Sequence, residues 1–240
     1  MGLSDLFKKN TAPSCAAVIV AAGSSTRMGS DKLTAELGGI PVLVRTLKAF
    51  EESEYVSEIV VVTRMEKVGE LAELCKQNGI SKISKVVAGG KTRMESSLIG
   101  VSAVKPSAKL IAIHDAARPL LSGALIKRTV CAAAEHMAAV PVLPSTDTLK
   151  LIGEDDRILG TVDRESTYRV QTPQVFDAVL IKGALTKAAE KGLTLSDDSA
   201  AMDMTGFKTY TVAGEEDNIK ITTPRDLMIA ELLLKSRGEA

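Results

Sequence analysis

Four short apolar runs, alternating with helical patterns, constrain the fold of this chain most strongly. They cover residues 15–22, 58–63, 83–88 and 110–113. Amphipathic helical patterns begin near Pro41, Val68 and Met94, so each falls between two of the runs. Continuous apolar strands that alternate with helices are typical of a parallel sheet covered on both faces. The sequence therefore predicts an α/β fold with a mostly parallel central sheet and helices on both faces.

The second half of the chain departs from this alternation. A helix is predicted from about Ser122 to His136, followed by a strand around 139–143. Residues 147–165 then form a pattern of two strands joined by a polar turn, which predicts a β-hairpin arm. The remaining predicted elements are a break at 172–174, a helix over 177–191, a strand over 207–212 and a C-terminal helix opened by Thr223-Pro224.

The organisation of the chain predicts one domain over residues 14–240, preceded by a flexible leader at 1–13. No internal repeat or low-complexity linker divides the 240 residues. A hairpin inserted into a parallel fold often projects from the domain. We therefore expect the arm to provide a contact in a homodimer.

Composition excludes several classes of partner. The 30 basic and 30 acidic residues cancel, so no global field attracts nucleic acid or an anionic membrane. Aromatic residues make up only 3% of the chain, which is poor material for stacking bases of single strands. No apolar run approaches the roughly 20 residues of a membrane span. Three scattered cysteines fit a reducing compartment. The sequence predicts a cytoplasmic protein with no membrane or nucleic-acid partner.

The stretch from Val18 to Lys32 predicts a binding site for a nucleoside triphosphate. Its apolar strand breaks at Gly23 into a loop of small polar residues that also carries Arg27 and Lys32. Backbone N–H groups and fixed cations at the end of a strand suit a polyphosphate. The loop matches neither the dinucleotide-binding glycine pattern nor a Walker A loop.

Ligands of parallel α/β sheets bind beyond the carboxyl ends of the strands. The loops at 23–32, 89–92 and 114–119 follow three of the predicted strands, so we expect them to converge on one crevice. Asp115 ends a buried strand there, and its carboxylate would suit Mg²⁺ bound mainly through phosphates and water.

Five motifs carry a resemblance to a known family. The first, Ala21-Ala-Gly-Ser-Ser-Thr-Arg-Met-Gly29, is similar to the loop signature of sugar and alditol nucleotidyltransferases. The other four are His114-Asp-Ala-Ala-Arg-Pro119, Val162-Asp-Arg164, Thr172-Pro-Gln174 and Asp217-Asn-Ile-Lys-Ile-Thr222. In this order they resemble the 2-C-methyl-D-erythritol 4-phosphate cytidylyltransferases of the non-mevalonate isoprenoid pathway, over residues 15–235.

The resemblance implies a Rossmann-like nucleotidyltransferase fold and a Mg²⁺-dependent cytidylyl transfer. CTP would react with 2-C-methyl-D-erythritol 4-phosphate to give 4-diphosphocytidyl-2-C-methyl-D-erythritol and pyrophosphate. Three alternatives stay open at this point: a ribitol-5-phosphate cytidylyltransferase, a molybdopterin cytidylyltransferase, and a non-catalytic nucleotide-binding regulator on the same fold.

The resemblance also assigns roles to individual residues. The catalytic set comprises the transition-state stabilisers Arg27 and Lys32 and the alditol-phosphate ligands Arg164 and Lys220. The nucleotide site comprises Ala21, Ala22, Gly23, Gly90 and Ser96. The acceptor site comprises Asp115 (as hydroxyl contact or metal ligand), Arg118 and Thr148, the last of which would reach the neighbouring subunit.

Four further residues have expected roles near these motifs. Arg93 is expected to support the 89–92 loop, and His114 to be a structural residue at a strand end. Asp197 and Asp198 are interpreted as an N-cap for the helix that follows, in preference to a second metal site. Lys91 stands where the family often has an aspartate, and the turn before Lys32 is shorter than the family's usual loop.

Overall fold

The computed structural model describes residues 14–23 and 32–239. The leader expected at 1–13, and the middle of the predicted triphosphate-binding loop with Arg27, lie outside the described residues. The strands that form the main sheet are β1 (Cys15–Val20), β4 (Val56–Thr63), β5 (Ile83–Ala88), β6 (Leu110–Asp115), β7 (Ala138–Pro144), β10 (Tyr168–Val170), β11 (Gln174–Asp177) and β12 (Tyr210–Ala213). The short pairs are β2 (Glu36–Leu37) with β3 (Ile40–Pro41), and β8 (Lys150–Ile152) with β9 (Ile158–Thr161).

The helices connect these strands and cover the sheet. They are α1 (Val42–Glu52), α2 (Val68–Gln77), α3 (Arg93–Ala103), α4 (Gly123–His136), α5 (Ala178–Glu190), α6 (Ser199–Asp203) and α7 (Pro224–Ser236). Side-chain caps fix several helix starts, at or next to the positions where the sequence predicted those helices to begin. Ser122, Asp177 and Thr223 each accept backbone N–H bonds through their side chains.

The central sheet is mixed and mostly parallel, which confirms the predicted fold class. Its order is β10-β7-β11-β6-β1-β4-β5, with β12 also paired to β7. The β1, β4, β5 and β6 strands pair in parallel. Alternate side chains of β1 enter opposite cores: Ala17 and Ile19 pack with α1, α2 and α4, whereas Val18 packs with α3 and α5. Helices therefore cover both faces, and the apolar runs are continuous because both faces are buried.

The sequence missed strand β11, which lies antiparallel between β6 and β7. Only a break had been predicted at 172–174. Val175 and Phe176 are fully buried, but a run of two apolar residues is too short to announce a strand. Polar Gln174 is also buried, since its side chain bonds to backbone N–H groups far along the chain.

The last predicted strand was also misplaced at its start. It was expected from Phe207, but β12 begins at Tyr210. Gly206 adopts a φ of +81°, in the turn that follows α6, and the Phe207 side chain is 38% exposed. Phe207 therefore still belongs to the turn, and its backbone does not pair with the sheet.

The arm contains the antiparallel pair β8 and β9. Its large apolar side chains are exposed, among them Leu151, Ile158 and Leu159. The arm therefore differs from β1, β4 and β6 of the main sheet, whose apolar side chains are buried beneath helices.

Candidate active site

A pocket of about 350 Å³ opens at the carboxyl ends of β1 and β6 and beside the loop after β5. Its lining includes Ala21, Ala22, Gly23, Lys32, Gly90, Lys91, Thr92, Arg93, Ser96, Asp115 and Lys220. The three predicted loops thus converge, in keeping with the rule for ligands of parallel sheets. Asp115 is the one acidic residue among the lining residues that the structure describes.

The loop after β1 forms one wall of the pocket. Ala21 is held at the sheet because its N–H donates to the Val62 carbonyl at 2.7 Å. Lys32, where the described chain resumes, lines the same pocket, and its Nζ donates to the Ile221 carbonyl at 3.2 Å. The Lys32 ammonium group therefore lies at the site, beside the segment that carries Lys220.

The glycines after β5 allow backbone to approach the β1 loop. A Cβ atom on Gly89 would lie 2.7 Å from Ser96 Oγ and 2.8 Å from Ala22 Cβ. A Cβ atom on Gly90 would lie 2.4 Å from Glu95 Cβ. No real side chain fits at these distances, so glycine is required at both positions for close packing, and the wall of the pocket is largely backbone.

Ser96 organises this glycine loop from below. Its hydroxyl accepts from the Gly90 N–H at 3.2 Å and donates to the Thr92 carbonyl at 2.9 Å. Thr92 in turn caps α3 by accepting from the Glu95 N–H at 3.1 Å. The Ser96 side chain therefore fixes the direction of the Gly90 amide, a role that the sequence did not indicate.

The Asp115 carboxylate lies among three cations at the other end of the pocket. Its Oδ1 atom is 3.3 Å from Arg93 Nε, and its Oδ2 atom is 2.9 Å from Lys220 Nζ and 3.6 Å from Arg118 Nε. Burial alone would raise the pKa of Asp115. Arg93, Lys220 and Arg118 more than offset burial, so the pKa lies well below its usual range. Three positive charges around one negative charge leave this end of the pocket cationic.

Two chain segments bring these cations to Asp115. The Arg118 Nη1 atom donates to the Asn218 carbonyl at 2.6 Å, and the Ile221 N–H donates to the Ala117 carbonyl at 2.8 Å. The 217–221 segment is thereby fastened to the loop after β6, which sets Lys220 in place. The motifs that were separate in sequence share one cluster.

Asp198 corrects the expectation that both Asp197 and Asp198 act only as helix caps. Asp197 does cap α6, since its Oδ1 accepts from the Ala200 N–H at 3.1 Å. The Asp198 carboxylate makes no such bond and is buried, with Oδ2 at 2.8 Å from Arg93 Nη2. One carboxylate is enough to cap one helix start. The presence of a second, adjacent aspartate was therefore the sequence signal that one of the two has another partner.

His114 is a structural residue at the end of β6, as predicted. It is fully buried; its Nδ1 lies 3.0 Å from Thr172 Oγ1, and its Nε2 lies 3.4 Å from the Arg118 carbonyl. Burial lowers the pKa of His114 to about 3, with Arg118 and Lys220 contributing and Asp115 opposing. The imidazole is therefore neutral at physiological pH and supports the loop that carries Arg118.

Within the described chain, three predicted site residues do not line the pocket: Arg118, which contacts Asp115 from outside the lining, and Thr148 and Arg164. Thr148 and Arg164 flank the arm and are exposed. Arg164 is tied only to the base of the arm, where its Nε donates to the Ser145 carbonyl at 3.3 Å. The role predicted for Thr148 requires a neighbouring subunit, and the roles of both residues stay predictions.

The described residues contain no group of three or more histidine, cysteine, aspartate or glutamate side chains that could hold a metal ion. Nor does any helix in this part of the chain have the length and apolar character to cross a membrane.

A pocket with a backbone wall at the end of β1 and a cationic opposite end fits an α/β protein of the nucleotidyltransferase class. Comparison with known proteins then identifies the family. A family model for IspD, 2-C-methyl-D-erythritol 4-phosphate cytidylyltransferase, matches residues 15–236. The chain belongs to this family.

Individual relatives agree over nearly the whole chain. A 2-C-methyl-D-erythritol 4-phosphate cytidylyltransferase from Caldanaerobacter subterraneus is 43% identical over 226 residues, covering 91% of this chain and 98% of that protein. The solved structure of 4-diphosphocytidyl-2C-methyl-D-erythritol synthase from Anaerococcus prevotii matches with a TM-score of 0.83 at 31% identity, covering 93% and 99% of the two chains. The corresponding cytidylyltransferase structure from Thermus thermophilus gives 0.74 at 32% identity, covering 91% and 98%.

Proposed function

We propose that this chain transfers the cytidylyl group of CTP to 2-C-methyl-D-erythritol 4-phosphate. An oxygen of the alditol phosphate attacks the α-phosphorus of CTP, and the bond from that phosphorus to the β-phosphate oxygen breaks. The products are 4-diphosphocytidyl-2-C-methyl-D-erythritol and pyrophosphate. The observation that carries this proposal is a single pocket that joins a backbone-walled nucleotide end to a cluster of cations around Asp115.

The nucleotide end suits CTP because backbone lines it. We assign cytosine and ribose to the wall formed by Ala21, Ala22, Gly23 and Gly90, with Ser96 fixing the Gly90 amide. Base edges can then pair with N–H and C=O groups whose directions are set by the sheet. Backbone recognition of this kind tolerates little movement, which accounts for the tight packing at the two glycines.

The reacting phosphates require cations because the transition state carries extra charge on non-bridging oxygens. We assign transition-state stabilisation to Lys32 and to Arg27, which lies outside the described residues. Lys220, Arg118 and Asp115 are assigned to the acceptor, with the cations binding its phosphate and the carboxylate its hydroxyls. A phosphate monoester is already nucleophilic at neutral pH, so no general base is needed.

Mg²⁺ is proposed as the divalent cofactor. The donor set fits a metal held mainly by phosphate oxygens and water, because Asp115 is the one carboxylate among the described lining residues. Mg²⁺ bound in this way supplies charge neutralisation of the triphosphate. Asp115 is already surrounded by three cations. A contact between Asp115 and the metal would therefore supplement the phosphate oxygens, which remain the main ligands of the metal.

A homodimer is proposed, with the arm as the shared element of a single-domain subunit. The apolar side chains of β8 and β9 are exposed. A cluster of exposed apolar side chains is typical of a surface that contacts another protein. Arg164 and Thr148 would then complete the acceptor site of the neighbouring subunit. We also propose the cytoplasm as the location of the enzyme.

The test is pyrophosphate release with CTP, Mg²⁺ and one phosphate acceptor at a time. We expect turnover with 2-C-methyl-D-erythritol 4-phosphate and little with ribitol 5-phosphate. Preferred turnover of the ribitol compound would replace the substrate assignment. Nucleotide binding without turnover of any phosphate acceptor would instead favour a regulator on this fold. Omitting CTP and substituting ATP, GTP or UTP tests the base assignment in the same assay.

A further inference from the structure

Arg93 lies between two carboxylates that come from opposite sides of the site. Its Nε atom is 3.3 Å from Asp115 Oδ1, and its Nη2 atom is 2.8 Å from Asp198 Oδ2. Arg93 begins α3 and lines the pocket, whereas Asp198 precedes α6 and lies behind it. The guanidinium group therefore connects the acceptor end of the pocket to a helix that the function has not used.

Asp198 has no evident structural duty of its own. Asp197 caps α6, and the Gln174 side chain accepts both the Asp198 and Ser199 N–H groups, at 3.1 and 3.0 Å. These bonds use the backbone of Asp198 and not its carboxylate. A buried carboxylate is costly unless it is paired, and burial raises the pKa of Asp198 while Arg93 opposes this. The buried carboxylate of Asp198 therefore serves to pair with the Arg93 guanidinium group.

Arg93 holds one oxygen of Asp115, and Lys220 and Arg118 hold the other. The carboxylate is thereby fixed in rotation. Without Asp198, the Arg93 guanidinium would have one partner and could swing about it. Anchoring at both ends keeps Arg93 pointed along Asp115, so the Asp115 carboxylate stays turned toward Lys220, whose Nζ lies 2.9 Å from its Oδ2 atom.

We propose that Asp198 and Arg93 are positioning residues for the acceptor substrate: Asp198 anchors Arg93, Arg93 orients the Asp115 carboxylate, and Asp115 in turn holds Lys220 in place for the alditol phosphate. This inference rests on the proposed function, because it takes the Asp115 end of the pocket as the acceptor site. Neither residue is assigned a contact with the reacting phosphorus.

The first experiment compares Asp198→Asn with Asp197→Asn. Asparagine keeps the shape and the backbone bonds of Asp198 but removes its charge. We expect Asp198→Asn to raise KM for 2-C-methyl-D-erythritol 4-phosphate about tenfold, the loss of one charge-assisted contact, with KM for CTP nearly unchanged. Asp197→Asn removes a helix cap that does not touch Arg93, so it should lower the melting temperature without moving KM for the acceptor.

The second experiment asks whether Asp198 acts through Arg93. Arg93→Met should also raise KM for the acceptor, and adding Asp198→Asn to it should cause no further rise. The double variant should also melt at a higher temperature than Arg93→Met, because it no longer buries an unpaired charge. Independent, additive effects on KM would overturn the inference, as would an unchanged acceptor KM in Asp198→Asn while the wild-type enzyme turns over. The latter result would leave the proposed function intact.

Discussion

The pocket and the arm meet opposite physical requirements. At the Asp115 end of the pocket, each charge is held by another charge or by a backbone carbonyl of the same chain. In the arm, by contrast, the apolar side chains are exposed, and the Arg164 side chain makes one long hydrogen bond to the base of the arm. Pre-set charges stabilise a transition state without reorganising, which suits the pocket. An exposed apolar arm suits contact with another subunit, where the proposed dimer would place its site residues at the acceptor.

The largest expected effect is on Lys32, within the pocket. Lys32→Ala should lower kcat about 10²- to 10³-fold, as expected when one stabilising donor is removed from a transition state. KM values should change much less. Steady-state kinetics with varied CTP and varied acceptor would measure this.

Lys85→Ala is the matched control, because its Nζ also donates to a backbone carbonyl, that of Ala103 at 2.8 Å, but lies outside the pocket lining. It should retain wild-type kcat. Equal losses in the two variants would mean that Lys32 acts on stability and not on the reaction.

The second effect is on stability, and it separates the buried cluster from the arm. Asp115→Asn should lower the free energy of unfolding by about 2 kcal/mol, because Arg93, Arg118 and Lys220 lose their common anion. This is below the cost of breaking a fully buried pair, since Lys220 is 39% exposed and solvent screens it. Denaturant unfolding would measure the difference.

Asp163→Asn serves as the comparison on the arm. That carboxylate is exposed and bonds only to neighbouring groups, the Ser166 hydroxyl and the Glu165 N–H. Its replacement should shift the unfolding midpoint far less. Comparable shifts for Asp115 and Asp163 would show that the pocket cluster is no more tightly coupled to folding than the arm.

The sequence predicted most of the fold because its signals were local and repeated. The apolar runs of β1, β4, β5 and β6 each appeared within a few residues of their observed bounds. Helix starts were also local: Ser122, Asp177 and Thr223 cap the helices that directly follow them. The convergence of loops on one pocket followed from the direction of parallel strands alone.

What the sequence could not predict depends on contacts between distant segments. Strand β11 is buried because Gln174 bonds to the backbone before α6, and neither segment signals this alone. Asp198 looked like a cap because its real partner, Arg93, is far away in the chain. The resemblance identified Lys220 and Arg118 as site residues. Only the folded structure shows that both contact the same oxygen of Asp115.

The third prediction concerns the arm and a shared site. Arg164→Ala should raise KM for the alditol phosphate about tenfold and leave the melting temperature unchanged, because the side chain is exposed and makes one weak contact in its own subunit. Arg157→Ala, at the exposed tip of the same arm, is the control and should retain wild-type KM.

Mixing variants tests whether Arg164 serves the neighbouring subunit. Subunits carrying Lys32→Ala and subunits carrying Arg164→Ala would be co-expressed with different tags. If the site is shared, each mixed dimer has one intact site, so an equal mixture assayed with acceptor well below its KM should show about a quarter of wild-type activity. No recovery over the separate variants, or a monomer by ultracentrifugation at assay concentration, would place Arg164 outside the acceptor site.

The smallest effect is a pH dependence that arises beneath the pocket. His114 has a pKa of about 3 in the folded chain, against about 6.5 when unfolded. Between these values the unfolded chain binds a proton that the folded chain excludes, so the free energy of unfolding falls as pH falls. The loss approaches about 1.4 kcal/mol per pH unit below pH 6.5.

His114→Gln should flatten this slope, because glutamine can still meet Thr172 and Arg118 but does not titrate. Denaturant unfolding between about pH 5 and 6.5 measures the slope above the usual range of carboxylates, and the difference between wild type and His114→Gln isolates the histidine from carboxylates such as Asp198, whose pKa burial raises. His136→Gln, at the only other histidine, is the control. A wild-type slope in His114→Gln would mean that the charge-excluding interior does not extend beneath Asp115. The residues beneath the pocket would then be as accessible to water and protons as those of the arm.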